Sequence, residues 1–200
     1  MDLLKKYGLS SIEDVEEIKI TDTDISWNDV SLKDKLDFSE LYDFRLFLSD
    51  MSLSEFNSLR IFKDHNNIDS QRDKSFFTSK TLEILEIWGG KLSSKIKFDL
   101  PNLKKMNFWN VNYTNLDESI GKCISLVELH LAGVNIKKLP NTLSNLTSLN
   151  KLIVHNKLEN IDVTFPEYGC SSTYPKNLYC DLPLYSNNGL ISVIPLFHLL

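Results

Sequence analysis

The 200-residue chain is 42% apolar and 24% charged, a balance that supports a buried core and excludes wholesale disorder and collagen-like fibres. No apolar run approaches the roughly 20 residues of a membrane-crossing helix, and the opening MDLLKKYGLSS carries no secretory pattern, so a cytoplasmic location is expected. A net charge of −5 counts against nucleic acid as the main partner, and three cysteines (Cys123, Cys170, Cys180) are too few for a disulfide scaffold.

Taken in chain order, residues 2–7 are expected to form a short capping helix over the exposed N-terminal end of the fold. Val15, Ile18, Ile20 and Ile25 then show an apolar-x-x-apolar-x-apolar spacing, whose closing alternation is that of a short strand with one face inward. The same template can be laid on Leu41, Phe44, Leu46 and Met51, and again on Phe56, Leu59 and Ile61. The starts up to Leu82 are 26, 15 and 26 residues apart. Fifteen is too short for one unit of this kind, so one of the middle placements is expected to be shifted, although the 41 residues from Leu41 to Leu82 fit two units. From Leu82 the pattern is regular. LEILEIWGGKL supplies Leu82, Leu85, Ile87, Gly90 and Leu92. Residues 103–125 and 126–148 then align without gaps, with apolar matches at Leu103/Leu126, Met106/Leu129, Phe108/Leu131, Val111/Val134, Tyr113/Ile136, Leu116/Leu139, Ile120/Leu143 and Cys123/Leu146. A further copy opens at Leu149, Leu152 and Val154, and after Phe165-Pro166 the pattern stops.

This spacing resembles the leucine-rich repeat, L-x-x-L-x-L-x-x-N-x-L, with the x-x-L-P-x-x-L-x-x-L continuation of intracellular and plant-type members; NIKKLPNTLSNLTSLNKL is the best match. The resemblance implies an α/β solenoid, with a curved parallel sheet inside and helical turns or irregular arcs outside. Residues 1–165 would form the array, regular over 82–154 and sparse over 15–81, with 166–200 as a cap or irregular tail. No unit can bury its apolar face alone, so units must stack. The ladder asparagine of the family is replaced by Gly90, Val111 and Val134, which predicts less regular turns.

In that register the residue after each apolar-x-apolar pair faces the concave surface. The column reads Thr21, Phe47, Phe62, Trp88, Trp109, Ala132 and His155. Four adjacent aromatics on a solvent-facing sheet would mark an interface, unless a segment such as 64–79 folds over them or Phe47 and Phe62 belong to the core. The neighbouring column reads Lys19, Arg45, Arg60, Glu86, Asn107, His130 and Ile153. The expected partner-binding set is therefore Trp88, Trp109, Phe62, Phe47, Glu86, Asn107, Lys105, Glu128, His130 and His155. Residues 1–79 carry 10 basic and 17 acidic side chains, and residues 80–200 carry 12 and 10, an asymmetry that would draw a basic partner toward the N-terminal half.

Catalytic and metal-binding signatures are missing from the sequence. His130 and His155 lie in different columns, Cys123 occupies an inward position of the outer arc, and no phosphate loop, nucleophile elbow or H-E-x-x-H motif occurs. The expected function is a non-catalytic, cofactor-free and monomeric module that binds a protein partner on its concave face. The alternative is the recognition segment of a larger signalling, immune-receptor or ligase-type protein.

Overall fold

The computed structural model describes residues 4–5, 8–65, 71–72, 77–149, 151–155 and 177–179. They form an α/β fold on one mixed, mostly parallel sheet of nine strands, with a separate two-stranded piece. In chain order the strands are β1 (Glu17–Ile20), β2 (Ile25–Trp27), β3 (Val30–Ser31), β4 (Ile61–Asp64), β5 (Gln71–Arg72), β6 (Ile84–Trp88), β7 (Lys91–Leu92), β8 (Lys105–Trp109), β9 (Glu128–Ala132), β10 (Lys151–His155) and β11 (Asn177–Tyr179). The large sheet has the order β11-β10-β9-β8-β6-β4-β1-β2-β3, and β5 pairs with β7 in the small one. Strands β1, β2 and β3 are joined antiparallel, and every other neighbour in the large sheet is parallel.

The registers make the repeat explicit. Ile61 pairs with Ile84, Ile84 with Lys105, Lys105 with Glu128 and Glu128 with Lys151, which are steps of 23, 21, 23 and 23 residues. The sequence-matched pairs are equivalent in space: Leu103 and Leu126, Met106 and Leu129, and Phe108 and Leu131 are all fully buried. Strands β6, β8 and β9 turn away from the sheet through a left-handed residue, at Gly89 (φ 74°), Asn110 (φ 53°) and Gly133 (φ 62°) respectively. Glycine and asparagine are the residues that tolerate this conformation, so the regular turn feature lies one residue before the position expected to carry asparagine.

The return arcs are 3-10 turns at Glu118–Lys122 and Asn141–Asn145. Asp117 caps the first by accepting from the Ser119 N–H at 2.8 Å. Core side chains from sheet and arcs fill the space between them: Met106 and Phe108 with Tyr113, Leu116, Ile120 and Cys123, then Leu129 and Leu131 with Ile136, Leu143 and Leu146. Burial of this continuous stripe is the main stabilising contribution.

The N-terminal third departs from the expected units. Val15, Ile18 and Ile20 sit as the template places them, with Ile18 opposite Phe62. The segment at Leu41 is no repeat unit. It is the helix α1 (Phe38–Asp50), capped by a reciprocal box in which Glu40 N–H donates to Asp37 Oδ1 at 2.8 Å and Asp37 N–H donates to Glu40 Oε2 at 3.1 Å. Leu41, Phe44 and Leu48 are buried at helical spacing, and Leu46, expected inward, is 40% exposed. The next unit starts at Leu59 and not at Phe56, because Phe62 pairs with Leu85. The chain thus leaves β1, makes a hairpin and a helix, and returns to place β4 directly beside β1. This excursion accounts for the anomalous fifteen-residue step.

Trp27 seals that end of the core. It is fully buried, its ring centroid lies 5.8 Å from Phe44 and 6.3 Å from Phe56, and its indole N–H donates to Ser10 Oγ at 2.8 Å. Leu4 and Lys5 are helical and Leu4 is buried; the remainder of the expected 2–7 helix lies outside the described residues, as does the expected boundary at residue 165. Asn177–Tyr179, in the segment where the repeat pattern has stopped, adds a parallel strand beside β10. No described helix is long and apolar enough to cross a membrane.

Candidate binding face

The face of the sheet turned away from the core carries side chains from alternate strand positions. Cα registers align three columns across it. One runs Glu17, Ile61, Ile84, Lys105, Glu128 and Lys151; the next runs Lys19, Lys63, Glu86, Asn107, His130 and Ile153. The third contains Trp88, Trp109, Ala132 and His155.

Two indoles dominate the third column. Trp88 is 41% exposed and Trp109 is 43% exposed, with ring centroids 6.3 Å apart. His65 stacks on Trp88 at 3.8 Å and 12°, and His130 meets Trp109 edge-on at 5.7 Å and 83°. The result is a ladder His65–Trp88–Trp109–His130 across β4 to β9.

Charged side chains lie beside it. The Glu86 residue is only 7% exposed. Its carboxylate faces Lys63 Nζ at 3.6 Å, His65 Nε2 at 3.3 Å and Lys105 Nζ at 3.3 Å. At one margin Lys19 Nζ meets Glu17 at 2.8 Å and Asp29 at 3.8 Å; at the other, Lys151 Nζ meets Glu128 at 2.7 Å. Asn107 lies between Glu86 and His130, and its buried Oδ1 finds no hydrogen-bond partner among the described residues.

Several expected site residues require correction. Phe62 is fully buried in the core, because pairing with Leu85 turns it inward; His65 occupies the place assigned to it. Phe47 is on α1, 38% exposed and 5.8 Å from Phe44, and so is not part of the sheet face. Arg45 is also on α1, where it is buried and donates through Nη2 to the Thr21 carbonyl. Arg60 precedes β4 and bonds Glu83 Oε1 at 3.0 Å; Lys63 takes its place in the second column. Trp88, Trp109, Glu86, Asn107, Lys105, Glu128 and His130 are brought together on one face. His155 aligns with Ala132 at the end of β10. Sequence reading passed over His65 and Lys63, yet each stands 23 residues before a residue it did select, Trp88 and Glu86.

Among the described residues, no three His, Cys, Asp or Glu side chains converge as a metal site would require. Cys123 is buried and its thiol is pushed up to about 12 by desolvation, which leaves it protonated and unreactive near neutrality. Comparison with protein-family models, curated proteins and solved structures finds no match to the chain.

The carboxylates impose a pH dependence. Burial pushes Glu86 up, but Lys63, Lys105 and His65 outweigh it and hold the group below its ordinary value. Burial likewise opposes Asp24 and Asp117. Ser31 and the Lys33 and Leu32 N–H groups lower Asp24, and Lys97 and Ser119 lower Asp117. Glu83, bonded by Arg60 and Lys104, is lowered to about 2, though solvent screens it at its partly exposed position. A lowered folded-state pKa means that the unfolded chain binds more protons in the window beneath the ordinary carboxylate value of about 4. Stability is therefore complete above that window and falls as pH descends through the folded values. Urea unfolding measured from pH 6 to pH 2.5 should show a falling midpoint below about pH 4.5. Glu86→Gln should make that decline shallower, and an unchanged acid slope would contradict the assignment.

Proposed function

We propose that the chain is a leucine-rich-repeat solenoid acting as a non-catalytic protein-binding module, with the outward sheet face as its concave binding surface. The repeated steps of 21 to 23 residues between paired strands support the solenoid reading. One observation carries the functional reading. Two tryptophans in register, each more than two-fifths exposed, stand on a sheet face whose other side chains are mainly charged or polar. Large exposed aromatics rimmed by polar groups mark interaction sites, and tryptophan is prominent among the residues that dominate interface energetics. Rigid β6 and β8 hold both rings, so little conformational freedom is lost on contact.

Affinity capture with the wild-type chain beside Trp88→Ala/Trp109→Ala tests the assignment, with circular dichroism confirming that both are folded. The expected result is a partner retained by the wild type and lost by the double variant, each indole contributing about 30-fold or more in affinity. Equal capture by both proteins would remove the surface from consideration.

A further inference from the structure

We infer that the segment seated on this face is acidic: an extended stretch of a partner protein, with one aromatic or aliphatic anchor and an aspartate or glutamate two to four residues away. The inference rests on the interface reading above and adds the chemistry of the partner.

Charge balance along the face carries it. At the β1 margin one ammonium, Lys19, meets two carboxylates, Glu17 and Asp29. At the β10 margin Lys151 and Glu128 match one to one. Among the described residues of the three columns, two ammonium groups, Lys63 and Lys105, share a single carboxylate only in the middle, around Glu86; the similar pairing of Arg60 and Lys104 on Glu83 lies just before the strands begin. The Glu86 carboxylate is buried, whereas Lys63 and Lys105 keep 27% and 36% of their side chains exposed. The outward-facing charge of this patch is therefore positive, in a chain whose net charge is −5.

The excess lies close to the indoles. Lys63 pairs with Glu86, two residues before Trp88 on β6, and Lys105 is four residues before Trp109 on β8. At about 3.3 Å per strand residue, these offsets span roughly 7 to 13 Å along the strand. An extended ligand with its anchor against Trp88 and Trp109 would carry a carboxylate over the lysines after two to four residues. A basic segment would bring like charge against Lys63 and Lys105, which opposes docking. The acidic N-terminal half seen in the sequence therefore does not set the partner's sign at this face; the local pairing does.

Selection of short random peptides on the immobilised full chain tests this. Enriched peptides should combine an aromatic or aliphatic residue with Asp or Glu two to four positions away. Their binding should weaken with added salt, vanish with Trp88→Ala/Trp109→Ala, and fall about 2- to 5-fold for each of Lys63→Gln and Lys105→Gln. Lys95→Gln and Lys122→Gln, which remove the same charge from exposed positions away from this face, should leave it unchanged. Thermal unfolding checks that every variant is folded. Tryptophan-dependent peptides that are basic or uncharged, or that ignore Lys63 and Lys105, would overturn the acidic assignment and leave the interface standing. Absence of any tryptophan-dependent peptide would bring down the interface reading as well.

Discussion

Phe108→Ala is expected to lower the unfolding free energy by about 3–5 kcal/mol, while Trp109→Ala, one residue further along the same strand, lowers it by about 1 kcal/mol. Phe108 is fully buried at the middle of the sheet, with its ring meeting Phe77 at 6.2 Å and Tyr113 at 6.1 Å, both edge-on. Truncation there removes transfer energy and leaves a cavity between sheet and arc, where neighbouring units hold the walls apart. Trp109 points the other way, 43% exposed, and alanine forfeits chiefly its ring contacts with Trp88 and His130. Denaturant midpoints of the two variants read the facing of β8 directly. Similar losses, or the reverse order, would mean that the strand is turned over and that the indoles are not at the surface.

Gly121→Val is expected to cost more than the roughly 1–3 kcal/mol usual for overpacking a core, and Gly121→Ala to fall within that range. A Cβ on Gly121 would stand 2.6 Å from Thr142 Cβ and 2.8 Å from the Thr142 carbonyl oxygen. The Thr142 hydroxyl donates to the Glu118 carbonyl at 2.6 Å, and the Thr142 N–H donates to Glu118 Oε2 at 3.1 Å. These bonds fasten one 3-10 arc to the next, so the added carbon has backbone to displace and not a free side-chain end. The strain should spread to the β8–β9 spacing, because the two arcs follow β8 and β9 in the chain. A stability loss under about 0.5 kcal/mol for Gly121→Ala would show slack between the arcs that the geometry does not contain.

Legibility differed along the chain for identifiable reasons. Between Leu82 and Val154 each apolar position recurs at nearly constant spacing, and the inward set is the one found buried. The facing of Trp88 and Trp109 came directly from this, since a residue flanking an inward position on a strand must point outward. Around Leu41 the same letters satisfy two periods. Leu41, Phe44 and Leu46 fit the strand template, and Leu41, Phe44 and Leu48 fit a helix. The local tie-breaker was present in Asp37 and Glu40, spaced as a capping box ahead of an apolar run.

The period, the inward set from Leu82 onward and the exposure of two indoles on adjacent strands were written into the residue pattern. Local alternation and the need of each unit for a like neighbour are enough to dictate them. Long-range packing alone chose which strand lies beside β1, and through that the register of β4. Pairing Phe62 with Leu85 sends the phenylalanine into the core and brings His65 onto Trp88. A slip of one residue exchanges the two faces of a strand. The choice between slips is made by the neighbour's side chains, and β1 and β4 are separated in the chain by a hairpin and a helix. The sign of the charge beside the indoles is of the same kind, because it depends on Lys63 and Lys105 converging from different strands on one buried carboxylate.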